Sequence, residues 1–316
     1  MFSGFTQLFG RDFAVGYFLP TIMFATVSAL LFLLFMPQAT TDAIGLLANQ
    51  LESIWTVSVA VFGIWTLSIL LMVLNRGMVR TLEGYGLLQR TPLRTWQLHR
   101  FDRLHREITR TAERYKEECE RLKHVSPQTE KQYTDLSLRC HADFPQEREF
   151  VLATSFGNVI RAFETYSRVM YGLDSIPGWT RIIAVAPDGF RATLNGAKAQ
   201  VDFAVNIVYL AMIVGIQYVV YAVVTESAPM IWIPPVALAV TILAYRLAVS
   251  SAREWGEYVK AVFDLYRHPL LKQMGLQVPL SWQDEYHWWQ DISRAFLYED
   301  RLDLPKNVRG DSAGGA

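Results

Sequence analysis

Apolar and charged residues are segregated along this chain rather than interleaved. No charged residue occurs between Asp12 and Asp42, and the run from Phe13 to Met36 is almost wholly apolar. Three further charge-free runs follow: Ser53 to Asn75, Phe203 to Thr225, and Ser227 to Tyr245. A helix rising about 1.5 Å per residue needs about 20 residues to cross about 30 Å of hydrocarbon, and the first three runs are long enough. The start of the fourth is crowded by Pro229, Pro234 and Pro235. Proline is tolerated in a helix's first turn, where its missing N–H has no partner to lose. That helix is therefore predicted to begin near Pro234 and run past Arg246 to about Ala252, with the Arg246 guanidinium reaching to the headgroups. The expected spans are 13–36, 53–75, 203–225 and 230–250. The first run is longer than the apolar core of a cleaved signal and lacks an A-x-A-like site, so it reads as an uncleaved anchor. Ahead of it, Phe2, Phe5, Leu8 and Phe9 suggest a short interfacial helix.

Charge placement orients these spans. The link 37–52 carries Asp42 and Glu52 but no basic residue, and the link around Glu226 has none either. All 30 Lys and Arg residues lie in the N-terminal tail, between Arg76 and Lys198, or from Arg246 onward. With four spans these three parts share one face, which the bias of basic residues assigns to the cytoplasm. Both termini are then cytoplasmic. The expected organisation is a tail and membrane hairpin over 1–75, a helical cytoplasmic domain over 76–202, and a second membrane hairpin over 203–252. C-terminal cytoplasmic helices follow over 253–304, and a polar, Gly-rich, disordered tail over 305–316. The predicted fold is an all-α, four-span membrane protein with a helical cytoplasmic domain.

Within the charged part the period changes to that of an amphipathic helix. After turn-prone glycines at 77, 84 and 86, a helix is predicted from about Leu93 to His124. Leu98, Phe101, Leu104, Ile108, Ala112, Tyr115, Cys119 and Leu122 form its apolar stripe. Phe101, Ile108, Tyr115 and Leu122 are spaced by sevens, so an intramolecular hairpin and a dimeric coil both fit. Ser126-Pro127 breaks the helix, and a second one near 129–138 is expected to fold back along it. Arg100, Arg103, Arg106, Arg110, Arg114 and Arg121 occupy the opposite face. Arg103–Glu107, Arg114–Glu118 and Glu117–Arg121 stand four residues apart, as in a solvated, ion-paired surface. No aromatic residues alternate with the arginines, which argues against a nucleic acid partner.

A further helix is predicted over 155–171, with Ser155 as N-cap and Gly172 as left-handed terminator. Asp174, Trp179 and Arg181 follow in an expected turn around Pro177 and Gly178. The residues Gly157-Asn158, Ile160-Arg161-Ala162, Glu164, Tyr171-Gly172, Asp174, Trp179 and Arg181 resemble the pattern G-N-x-I-R-A-x-E…Y-G-x-D…W-P-R. That pattern marks a family of uncharacterised bacterial polytopic inner-membrane proteins. Phe263-Asp264-Leu265-Tyr266-Arg267 with Leu270-Leu271 is also similar to that family, while Thr180 departs from its proline. The resemblance implies a location in the bacterial cytoplasmic membrane and no activity. Toward the C-terminus the fourth span is expected to continue to Tyr266 and break at Pro269. A helix capped by Ser281 and Asp284 follows, rich in aromatics (Trp282, Tyr286, Trp288, Trp289 and Phe296).

Composition narrows the chemistry further. Charged residues make up only 19% of the chain against about 25% in a typical soluble domain. The formal net charge is zero, so no polyanionic partner is implied by charge. The two cysteines, Cys119 and Cys140, fall in the segment assigned to the reducing side and read as free thiols. No phosphate-cradling glycine loop or G-x-S-x-G elbow occurs, and the six histidines form no metal-ligand spacing, so no cofactor, metal or catalytic set is predicted. Two polar constellations stand out. Asn158, Arg161, Glu164, Asp174 and Arg181 are a candidate polar network at the membrane interface, which an enzyme acting on lipid would need to converge. Asn206, Tyr209, Gln217 and Tyr221, with Tyr218 beside them, share a broad face of the third span, and such a stripe either glues spans together or lines a pore. The function expected is a non-enzymatic scaffold, sensor or effector whose cytoplasmic domain self-assembles or binds a protein partner. An oligomeric channel lined by the third span is the alternative, and a membrane-surface enzyme acting on lipid the second alternative.

Overall fold

The computed structural model describes residues 10–35, 54–226, 228 and 230–301, and among them there is no β-strand. The chain is all-α. The helices are α1 (Arg11–Phe13), which passes through a π-helical turn (Ala14–Phe18) into α2 (Leu19–Phe35), then α3 (Ile54–Leu82), α4 (Pro92–Leu122), α5 (Pro127–Asp143), α6 (Ser155–Glu164), α7 (Tyr166–Tyr171), α8 (Ser175–Val185), α9 (Asp188–Val224), α10 (Ile233–Gln273) and α11 (Trp282–Tyr298). Among the described residues four stretches are long and apolar enough to cross a membrane: Arg11–Phe32, Val57–Leu82, Asp188–Val224 and Ile233–Gln273. The expected interfacial helix at 2–9, the link 37–52 and the tail 305–316 lie outside the described residues.

By its contacts the chain divides into two units, residues 1–82 with 195–251, and residues 83–194 with 252–316. In the first, only 11–28% of each span's most apolar window is buried, and Trp55, Phe62, Val73, Val223 and Leu238 are among many large apolar side chains left exposed. Apolar surface on that scale is stable in hydrocarbon and not in water.

The second unit has a conventional core. Phe156, Leu173, Ile182, Phe263, Leu271, Trp289 and Ile292 are fully buried. A second cluster gathers Phe101, Phe144 and Val151, with Leu98 and Leu104 against it. Helices α4 and α5 form the expected hairpin, with Tyr115 packed on Tyr133 at a ring separation of 5.7 Å. Local chemistry sets the turn between them. Lys123 takes the left-handed conformation and ends α4, while Ser126 caps α5 by accepting from the Thr129 N–H, with Pro127 in the first turn.

Several boundaries differ from those expected. Gly77 is inside α3, and the turn follows only at Glu83 and Gly84, where the Gly84 φ is +89°. The seam of α4 turns away from the exposed Cys119 and takes in Thr111 and Glu118 instead. Thr154, not Ser155, caps α6, and the helix expected over 155–171 is interrupted at Thr165, whose hydroxyl bonds back to the Arg161 carbonyl. The expected turn around Pro177 is the helix α8. Asp174 caps it, and Pro177 sits among the first residues, whose N–H groups lack helical partners in any case. Pro269 does not break α10, which continues to Gln273 with Leu270 and Leu271 buried just beyond the proline.

Candidate functional site

In the first unit, polar groups from three spans meet at one place. Asp202 of α9 is 4% exposed, and its carboxylate accepts four hydrogen bonds from three donor atoms. Tyr17 of the first span donates its hydroxyl at 2.8 Å, and Asn75 of α3 donates its amide at 2.8 Å. Lys198, one turn earlier on α9, bonds both carboxylate oxygens at 3.0 and 2.7 Å. The Asn75 amide also donates to the Tyr17 oxygen at 3.1 Å, closing a triangle across the three helices. One turn on, the fully buried Asn206 donates to the Gly16 carbonyl at 2.7 Å, within the π-helical turn. The amide oxygens of Asn75 and Asn206 are both buried without a hydrogen-bond partner.

The remaining members of the third-span polar face also bond to other spans. Tyr209 donates to the Met78 carbonyl at 2.9 Å, and Gln217 accepts from the Ser28 hydroxyl at 3.1 Å. Tyr221 packs beside the buried pair Tyr218 and Ile233, together with Leu31. Gln217, Tyr221 and Thr225 also line a cavity of about 370 Å³ next to Ser28 and Phe32.

In the second unit the five residues singled out from the sequence are distributed among separate structural tasks. Asn158 is fully buried, and its side chain clamps Leu152, accepting from the Leu152 N–H at 2.6 Å and donating to its carbonyl at 3.2 Å. Arg161 pairs with Glu164 at 3.3 Å, donates to the Tyr85 hydroxyl, and lies over the Tyr85 and Phe150 rings. Asp174 is the α8 cap, accepting from Ile176 N–H at 3.1 Å. Arg181 donates to the Pro177 carbonyl at 2.6 Å and stacks on Phe296 at 3.8 Å. Arg161 and Glu164 are therefore brought together, whereas Asp174 and Arg181 are engaged within α8 and with α11.

The other residues of the two motifs act likewise. Gly157 is required by packing, since a Cβ there would overlap the Glu83 backbone. Gly172 has φ +78°, and its missing side chain leaves room for the Tyr286 carbonyl. Asp264 accepts from Tyr171 at 2.6 Å and from Tyr166 at 3.1 Å. Burial, with Asp264 alongside, raises both phenols above the ordinary tyrosine range. Arg267 stacks on Tyr171 at 4.2 Å and bonds the buried Glu285 at 2.8 Å, which also contacts His268 at 2.9 Å.

Neither the Asp202 cluster nor the Asp264–Glu285 cluster follows from periodicity. Asp202 stands just before the third apolar run and Asn75 closes the second. Their shared depth at the span ends is the signal that would have paired them. Among the described residues no group of three or more His, Cys, Asp or Glu side chains could hold a metal ion. No protein-family model, curated protein or solved structure matches the chain.

Proposed function

We propose that this is a non-catalytic protein of the bacterial inner membrane whose helical unit faces the cytoplasm and binds another protein, a soluble partner or a second copy, through the α4–α5 hairpin. The observation that carries this reading is the hairpin's distal half. From Thr111 onward the contacts that hold α4 are to α5: Tyr115 on Tyr133, and the Glu118 carboxylate accepting from the Ser126 N–H and the Thr129 hydroxyl, both at 2.8 Å. Thr111 to Leu122 is about 17 Å of helix, reaching past the Phe101–Phe144–Val151 cluster and exposing Glu113, Arg114, Lys116, Glu117 and Glu120. A rigid, charged two-helix projection of this kind suits recognition by another protein surface.

Cys119 offers a probe on that projection. It is exposed, whereas burial and the charge of Asp143 push the Cys140 thiol up to about 11. A photoreactive maleimide added to opened membranes is expected to label Cys119 and, after illumination, to give one discrete adduct that disappears in Cys119→Ser and in an Arg114→Glu/Lys116→Glu variant. Labelled protein that yields no adduct in its native membrane rules the reading out.

An oligomeric pore is the second reading, favoured by the cavity against Gln217, Tyr221 and Thr225. It is weakened because Asn206, Tyr209 and Gln217 already bond to other spans, while the exposed third-span residues Met212, Ile213, Ile216 and Val220 are apolar. Conductance in planar bilayers that changes in Gln217→Leu is its signature, and silent bilayers containing well-folded protein dismiss it.

A further inference from the structure

The first unit contains a second cavity, of about 470 Å³, bordered by α2, α9 and α10 together with the turn before α10. Its lining includes Met23, Val27, Ala211, Val214, Val236 and Val240, and every other side chain facing it is apolar or aromatic as well. Along α2 it extends from Pro20 to Leu31, which is about 17 Å of helix. Half of a hydrocarbon layer about 30 Å thick has nearly that depth, so the groove matches one leaflet and stops near the middle. One end is marked by Trp232, which is 57% exposed and stands just before α10, at the level where tryptophan favours the headgroup boundary.

We propose that this groove holds one acyl chain of a phospholipid from the leaflet on the Trp232 side, retained as a defined site rather than exchanged with the surrounding bilayer. Water is a poor occupant, because the lining offers it no set of polar partners. An empty groove forfeits the contacts of its walls. A single hydrocarbon chain has the right length and chemistry. The floor is kept open by small side chains on two helices, with Ala211 lining the groove and Ala237 lying 3.4 Å from where a Cβ on Gly215 would stand.

The inference rests on the bilayer reading of the four spans, so the purified full-length protein must first require detergent, and a chain that stays in solution without it removes that reading and the site together. In detergent the protein is titrated with phosphatidylcholine brominated on its acyl chains, and the Trp232 contribution is obtained as the difference between the native chain and Trp232→Phe. Quenching of that component is expected to saturate at one lipid per protomer. In Ala211→Phe, and in Val236→Phe at the exposed rim should the first variant lose helicity, saturable quenching is expected to vanish, leaving only a linear dependence on micelle composition. Linear quenching in the native protein means annular contact only and overturns the site. Native protein that forms a dimer which Ala211→Phe dissociates, without saturable quenching, assigns the groove to a second copy and overturns it equally.

Discussion

At the scale of single residues, the positions that stand out in the sequence are those where a side chain, or its absence, is required by its neighbours. Gly157 is the clearest case. Its Cα faces the backbone of Glu83, so Gly157→Ala must push the start of α6 away from the turn that follows α3. Overpacking against backbone costs about 1–3 kcal/mol, and the variant is expected to unfold several degrees lower in a thermal melt followed by circular dichroism. Gly189, around which a Cβ would meet nothing within 4 Å, provides the matched control, and Gly189→Ala should melt with the native protein. Asn158, Arg161, Asp174 and Arg181 were visible as unusual polar residues near helix ends, and each has a local partner that the sequence does not name: Leu152, Tyr85, Ile176 and Phe296 respectively. Residue type was legible. Partner identity was not, because for Arg161 and Arg181 it depends on contacts between segments far apart in the chain, and for Asn158 and Asp174 on the backbone path just outside the helix.

At the scale of elements, the apolar runs and the amphipathic period of α4 were legible because length and spacing alone determine them. What spacing could not show was where capping and packing override propensity. Glu118 illustrates this. By period it belonged to an ion-paired outer face, yet it turns inward to hold the start of α5, with Arg114 contributing charge from nearby. Bonds from the Ser126 N–H and the Thr129 hydroxyl keep its carboxyl below the ordinary glutamate range. A carboxyl lowered in the folded state stabilises above its unfolded value, about 4.3, and that contribution disappears as pH falls through the lower folded value. Protection of the Ser126 and Thr129 amides, taken relative to the intrinsic exchange rate at each pH, is therefore expected to fall below about pH 4.5 in the native protein. In Glu118→Gln the same amides should exchange fast at every pH, and unchanged protection in that variant refutes the assignment. Pro269 shows the opposite override, since α10 continues through it where Leu270 and Leu271 are anchored in the core.

At the scale of the whole molecule, four apolar stretches divide the chain between what hydrocarbon can accept and what it cannot, and that division was legible from charge alone. Part of what holds the spans together was legible as well, since Asn206, Tyr209 and Gln217 stand inside the third run and bond to other spans, but the Asp202 cluster was not, because Asp202 lies just before that run and Asn75 at the end of the second. Tyr17, Asn75 and Asp202 come from three separate stretches of the chain and bond one another at 2.8–3.1 Å. Removing Asn75 takes one of three donors from the buried Asp202 carboxylate, and a hydrogen bond to a charged group contributes about 1.5–3 kcal/mol. Asn75→Leu is therefore expected to lower the detergent titration midpoint more than Ser68→Ala on the same helix, whose hydroxyl bonds only to the Ile64 carbonyl of its own helix. Equal midpoints for the two variants would mean that the cluster contributes nothing to span association.

The same cluster imposes an order on biogenesis. Tyr17 and Asn75 leave the ribosome more than a hundred residues ahead of Asp202, so the acid emerges when its two distant donors are already threaded. Until it finds them it has only Lys198 from its own helix, and an insertion machine that releases the third segment early would strand a carboxylate at the lipid boundary. Chains whose early segments are misplaced cannot satisfy the late-arriving acid, and membrane proteases should clear them first.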